Sequence, residues 1–131
     1  MRKIQVPTSR VEDWVDITAL VQGGIAQESL REGAVMVYSP HTSAGVCLQE
    51  GADPAVASDL LARLQDLAPK LRPEDRHAEG NSDAHLKTLL TGQSVLVPIS
   101  GGKLLLGRWQ RIFLVEFDGP RMRELWLTLL S

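Results

Sequence analysis

The chain has 131 residues, of which 44% are hydrophobic and 23% charged, with a formal net charge of −2 at pH 7; that length supports one domain with a single core. A slightly acidic balance without a basic stripe excludes a nucleic-acid footprint, no apolar run reaches membrane-spanning length, and the opening residues lack the apolar segment of a signal peptide. The single cysteine, Cys47, excludes an internal disulfide and suits a reducing cytoplasm; its setting in AGVCLQE reads as a half-buried strand thiol with a packing role.

In chain order, KIQVP (3–7) predicts a first strand. Asp16 is placed to cap a helix through 17–30, although Gly23 and Gly24 weaken its middle. The β-branched AVMVYS (34–39) predicts a strand, and VCLQE (46–50), after the polar turn PHTSAG, predicts a second with period-two alternation. Asp53-Pro54 supplies an N-cap with proline at the first helical position, and the segment that follows has the 3.6-residue apolar spacing of an amphipathic helix. PKLRPEDR is loop by its prolines and charge. Ser82 or Asp83 is expected to cap a short helix through AHLKTLL that Gly92 stops. The last forty or so residues read as strands, with SVLVPI and KLLLG joined across Ser100-Gly101-Gly102, and QRIFLVEF and RMRELWLTLL joined across Asp118-Gly119-Pro120. Two βα segments followed by hairpins predict an α+β fold: a single domain over 1–131, about six or seven strands in a largely antiparallel sheet, and three helices packed on one face.

All three histidines fall at polar junctions, His41 in SPHTSAG and both His77 and His85 in HAEGNSDAH. His41 is followed by Thr42 and Ser43, whose hydroxyls can donate to phosphate oxygens or orient a water. His85 falls in the first turn of a helix, at its positive end, and the free N–H groups at Gly80, Asn81 and Ser82 form an anion seat. Imidazoles near the carboxylates of Glu50, Glu79 and Asp83 would make an open divalent site. The alternative is that Glu79, Asp83 and Lys87 only solvate a loop and a helix start. SGGKLLLG lacks the full phosphate-loop pattern and is expected to be a hairpin. Trp109 reads as core or interface packing. Arg121 and Arg123 are expected to share a face of the final strand, there either to receive a phosphate or to discourage edge pairing.

HTSAG, QEGADPAV, HAEGNSDAHLKTLLTG and SVLVPISGGKLLLGRWQRIFLVEFDGPR, in that order and spacing, resemble the YjbQ family, also described as secondary thiamine-phosphate synthases. The resemblance covers the chain from about residue 33 to its end. It implies a small α+β subunit that assembles as a homotrimer, with its polar motifs at a cleft near the subunit interface. It places His41, His77 and His85 at the family's histidines, Glu50 at its glutamate, Asn81 at its asparagine and Gln110 at the glutamine of G-T-W-Q. The chain departs from the pattern at Gly51, where the family commonly has asparagine, and at Arg108 and Arg111, which replace a small hydroxyl residue and a glycine.

The function this implies is metal-assisted synthesis of thiamine phosphate from an aminopyrimidine diphosphate and a thiazole phosphate. A divalent ion held by His41, His77 and His85 would stabilise the departing diphosphate. Three imidazoles favour zinc or another transition metal, with magnesium the harder-ligand alternative. Glu50 and His85 are the expected catalytic groups. Thr42, Ser43, Asn81, Ser82, Gln110 and Arg121 are expected to bind the substrate, a small phosphorylated metabolite. Two further readings are a metal-dependent hydrolase or lyase and a trimeric metabolite-binding module.

Overall fold

A computed structural model describes residues 1–131. Its elements are β1 (Arg2–Pro7), β2 (Asp13–Asp16), α1 (Thr18–Glu28), β3 (Gly33–Tyr38), β4 (Ala44–Glu50), α2 (Pro54–Leu67), α3 (Ser82–Thr91), β5 (Ser94–Ser100), β6 (Lys103–Leu104), β7 (Gln110–Glu116) and β8 (Met122–Leu130). The fold is α+β and the pairing antiparallel, as the sequence predicts, but the strands form two sheets rather than one. Five strands run β1-β8-β3-β5-β6 and three run β2-β7-β4.

The core lies between the sheets. Val35, Val37, Val97, Ile99, Leu125 and Leu127 of the larger sheet meet Val46, Ile112 and Leu114 of the smaller one, and α1 adds Val21 and Ile25. Each such aliphatic side chain taken out of water contributes about 1.5–3 kcal/mol. Strand β7 is buried on both faces because its alternation serves two cores. Ile112 and Leu114 face the main one, while Phe113 and Val115 form a second with Phe117 and Ala84, packed against Leu61 and Leu64 of α2. The helices therefore divide: α1 closes the main core, and α2 and α3 cover the far side of the smaller sheet.

Several expectations need correction. Strand β2 is absent from the sequence reading because DWVD is too short and too acidic to show alternation; it forms by pairing with β7, Trp14 opposite Val115. Asp118-Gly119-Pro120 does not close a hairpin. It carries the chain from β7 in one sheet to β8 in the other, so these two strands never pair. Gly24, which weakens α1 by propensity, sits where a Cβ would lie 2.8 Å from Leu127 Cδ1; the glycine is what allows the helix to close on β8. Asp53 caps α2 as expected, accepting from Ala55 N–H at 2.9 Å. In α3 the N-cap is Asn81, and its side chain makes no capping bond.

Candidate functional site

The chain turns twice toward the same end of the molecule, after β3 and before α3, and the β7–β8 connection lies beside both. Pro40, His41, Thr42 and Ser43 from the first turn, Glu79, Asn81 and His85 from the second, and Asp118, Arg121 and Arg123 from the third line a cleft of about 310 Å³. Apart from the Pro40 ring, this lining is wholly polar.

Its floor is Arg123. The residue is 5% exposed and its partner Glu116 is 0% exposed. Arg123 Nε donates to Glu116 Oε1 at 2.7 Å, and Nη2 donates to Glu116 Oε2 and to Ser43 Oγ, the latter at 2.9 Å. Glu116 also accepts from Thr8 Oγ1 at 2.8 Å and from Asp118 N–H at 3.1 Å. The pair is thus hydrogen-bonded on nearly every atom, the condition under which two charges tolerate burial. The exception is Arg123 Nη1, which has no partner in the protein and is not sealed from solvent. Arg121 stands above it, half exposed, donating from Nε to the Asp118 carbonyl at 2.7 Å and from Nη2 to Asp118 Oδ2 at 3.1 Å.

The start of α3 forms one wall. Asn81 is 5% exposed and donates from Nδ2 to Asp118 Oδ2 at 2.9 Å, leaving its Oδ1 buried without a partner. Ser82 and Asp83 N–H, the first two helical donors, have no acceptor in the fold, as helix geometry leaves them. Gly80 N–H, expected to join this seat, is instead spent on the His77 carbonyl at 3.2 Å. Asp83 is not in the cleft. It is 5% exposed and holds Lys87, itself 0% exposed, at 2.9 Å beneath the helix; the reading of these two as solvating residues is overturned.

His85 donates from Nδ1 to the Thr42 carbonyl at 2.9 Å. A carbonyl only accepts, so in the neutral ring Nε2 keeps its lone pair. The His77 ring meets His85 edge-on, centroids 5.5 Å apart, and lies 3.9 Å from Glu79 Oε2. His41 Nε2 lies against the Glu124 peptide, 2.9 Å from the carbonyl oxygen and 3.1 Å from the nitrogen, so the backbone of β8 occupies that atom in either tautomer. Burial first, and the Arg123 charge second, hold His41 below its ordinary value of 6.5. A depressed folded-state value means that His41 contributes stability present above pH 6.5 and lost as the pH falls through the folded value. A ring-proton NMR titration should therefore place its midpoint below 6.5, with the urea midpoint declining in that same interval.

The metal expectation fails on this geometry. His41, His77 and His85 do not assemble as a ligand set, and no three His, Cys, Asp or Glu side chains are grouped to hold an ion. Within one chain neither the zinc nor the magnesium alternative finds a group of three such side chains. Glu50 and Gln110 are also elsewhere. Glu50 ends β4 opposite Gln110 of β7, roughly 20 Å along the strand from the cleft at the usual rise per residue. Its Oε2 accepts from Asp53 N–H at 3.2 Å, and Gln110 Oε1 accepts from Gly107 N–H at 2.8 Å; both shape turns. The departures at Gly51 and Arg111 are one packing exchange, because a Cβ at Gly51 would fall 2.1 Å from Arg111 Cγ. Arg111 meanwhile reaches Asp16 at 2.8 Å. Trp109 is not core: it is 54% exposed, with the Arg108 guanidinium 4.7 Å from its ring centroid. Cys47 is the packing thiol expected, pushed up to about 11 by burial. The sequence reading missed Glu116, which looks like any strand-end carboxylate until Arg123 is folded onto it.

Known proteins agree with the fold. A UPF0047 protein, MJ1081, of Methanocaldococcus jannaschii is 44% identical over 129 residues, 98% of this chain and 93% of that one. UPF0047 protein YugU of Bacillus subtilis is 38% identical over 131 residues, 100% and 99% of the two chains. Among solved structures, the conserved hypothetical protein TT1486 of Thermus thermophilus has a TM-score of 0.93 at 53% identity over 99% of this chain and 100% of that one. A YjbQ/UPF0047 family protein of Clostridium acetobutylicum gives 0.96 at 39%, with the same coverage. These descriptions attach no activity to the family, and no group of three metal-ligating side chains forms in the chain, so the expectation of metal-assisted thiamine-phosphate synthesis is overturned. A model of the family described as UPF0047 protein YjbQ-like matches residues 2–131, and the chain belongs to that family.

Proposed function

We propose that the protein binds a small phosphorylated metabolite in the cleft between His41, Asn81 and Arg121. The observation that carries this reading is Arg123: a guanidinium only 5% exposed, held by Glu116 and Ser43, that lines a polar cavity and keeps one nitrogen without a partner in the protein. A guanidinium is the side chain best shaped to meet phosphate oxygens, and charge-assisted bonds from it are about twice as strong as neutral ones. Thr42 and Ser43 offer hydroxyls, and Arg121 offers a second guanidinium at the rim. The acceptors Asp118 and Glu79 stand beside these donors, which suits an ester whose other end carries hydroxyl groups. His85, with Nε2 free, is placed to hold or move a proton at the ligand.

Calorimetric titration with inorganic phosphate and with glycerol phosphate tests the reading. Saturable binding of both is expected, weakened about tenfold by Arg121→Ala, the loss of one charge-assisted contact. Binding indifferent to Arg121, or no saturable heat, overturns it.

A homotrimer, implied by the family resemblance, is kept as part of this proposal. It is supported by the leucines of α3, Leu86, Leu89 and Leu90, which are 43%, 76% and 56% exposed and lie on one helix face. Light scattering should give three times the 14.4 kDa chain mass, and Leu89→Glu should reduce it to one chain. We place the protein in the cytoplasm, in keeping with its lone thiol; no helix is long and apolar enough to cross a membrane.

A further inference from the structure

Helix α2 covers the smaller sheet with only one of its ends. No residue of the helix is fully buried, and its contribution to the second core comes from Leu61 and Leu64 in the C-terminal half. Toward the N-terminus the helix stands off the sheet and leaves a groove of about 440 Å³, well within the size range of small-molecule sites. One wall is the stripe Pro54, Ala57, Ser58 and Leu61, at the spacing of one helix face; the other is Trp14 and Phe113, whose ring centroids are 5.5 Å apart. Short side chains on the helix opposite two large rings make a slot for a flat body.

The mouth of the slot is acidic. Asp16, Glu50 and Asp53 line it against a single cation, Arg10. Arg111 compensates Asp16 at 2.8 Å, and Arg10 is already engaged with Asp13 at 3.2 Å. Glu50 and Asp53 accept only backbone N–H groups, from Asp53 and Ala55, and neither carboxylate has a cationic partner. Two fixed carboxylates without counter-charge thus face a flat apolar slot.

We infer that this groove is a second ligand site, separate from the phosphate cleft, that takes a planar cationic nitrogen compound. The flat ring lies between α2 and the Trp14–Phe113 pair, and its positive group meets Glu50 and Asp53. Attraction of a cation to the indole face adds to the two carboxylates. The site owes nothing to the residues of the cleft, so it stands or falls independently of the phosphate reading.

Benzamidinium is the probe, with benzamide and benzoate as its neutral and anionic counterparts of the same shape. In nitrogen-15 spectra of the full chain, benzamidinium should shift the Trp14 indole resonance saturably, that resonance being identified by its loss in Trp14→Phe. Benzamide and benzoate should leave it in place. The double variant Glu50→Gln/Asp53→Asn keeps both backbone acceptors and the helix cap while removing both charges, and should raise the benzamidinium Kd about tenfold. Ala57→Leu, which fills the slot, should abolish the shift. Equal binding of benzamide, a Kd unchanged in the double variant, or shifts confined to Trp109 and Trp126 each overturns the inference, as does the absence of any saturable shift.

Discussion

Lys87→Met is expected to destabilise the protein by about 3–5 kcal/mol, the usual result of stripping one partner from a buried ion pair, measured as a fall in the urea midpoint at unchanged slope. The ammonium is 0% exposed and donates to Glu12 at 2.7 Å, Gln65 at 2.8 Å and Asp83 at 2.9 Å. Its three protons are thereby consumed, and three segments distant in sequence are tied at one point: the strand β2 approach, the end of α2 and the first turn of α3. With methionine there, Asp83 would keep only Lys70, 3.8 Å from its Oδ1, and its charge would remain in a cavity built for a cation. Adding Asp83→Asn should recover part of the loss, because a neutral amide leaves no stranded charge. A loss below about 1 kcal/mol, the scale of exposed pairs, would contradict the burial.

The same network sets a limit at high pH. Burial alone would lower the Lys87 value, but its hydrogen bonds to Glu12 and Asp83 outweigh burial and raise it above 10.5. A folded value above the unfolded one means that this contribution is complete below pH 10.5 and disappears as the pH rises through the folded value. Lys87→Met should therefore lack the part of the alkaline unfolding that this titration drives in the parent protein.

Lys87 also shows where reading the sequence reaches its limit. Asp83 and Lys87 stand four residues apart, the spacing of an ordinary solvated helix pair, and local pattern gives no reason to bury them. What buries them is Glu12, 75 residues away, together with the loop and α2 that fold over the helix. Features fixed by neighbours in the chain were legible. The Asp53-Pro54 cap, the Gly92 stop of α3, the hairpin at Gly101-Gly102 and the strands with clear alternation all appear where the pattern puts them. The division into two sheets was not, because the Asp118-Gly119-Pro120 turn looks the same whether it closes a hairpin or passes a strand to another layer.

The site divides in the same way. Small polar residues at strand and helix ends identified the segments of His41–Ser43 and Asn81–His85, and the fold brings them to one cleft. Glu50, chosen as a carboxylate to accompany the histidines and by motif resemblance, and Gln110, chosen by resemblance, rest on residue type without distance, and they lie at the opposite end of β4 and β7. Glu116 gave no signal. A buried carboxylate is recognisable only with its cation, and Arg123 becomes that cation through the pairing of β8 in the larger sheet while Glu116 sits at the end of β7 in the smaller one.

That arrangement makes Arg123→Lys the sharpest test of the cleft. Lysine preserves the positive charge opposite Glu116, so the variant should fold, at a cost of about 1–2 kcal/mol for the lost bonds of the guanidinium fork. An ammonium drawn onto Glu116 cannot also present a donor at the cleft floor, because its charge is one compact point rather than a plane of five N–H groups. Phosphate affinity should therefore fall about 10–100-fold, the equivalent of one charge-assisted bond of about 1.5–3 kcal/mol, whereas Arg121→Ala, removing a half-exposed group already paired with Asp118, should cost less. The order of the two effects matters more than either magnitude. If Arg121 proves the larger, the anion sits at the rim and the buried pair only supports the turn. If Arg123→Lys binds phosphate as the parent does while its melting temperature falls, Nη1 is not a ligand contact and the floor of the cleft has no role in binding. A larger loss for lysine at position 123 in a chain that still folds is the outcome the geometry requires, since only there is a guanidinium both immobilised by its neighbours and left with one nitrogen to give.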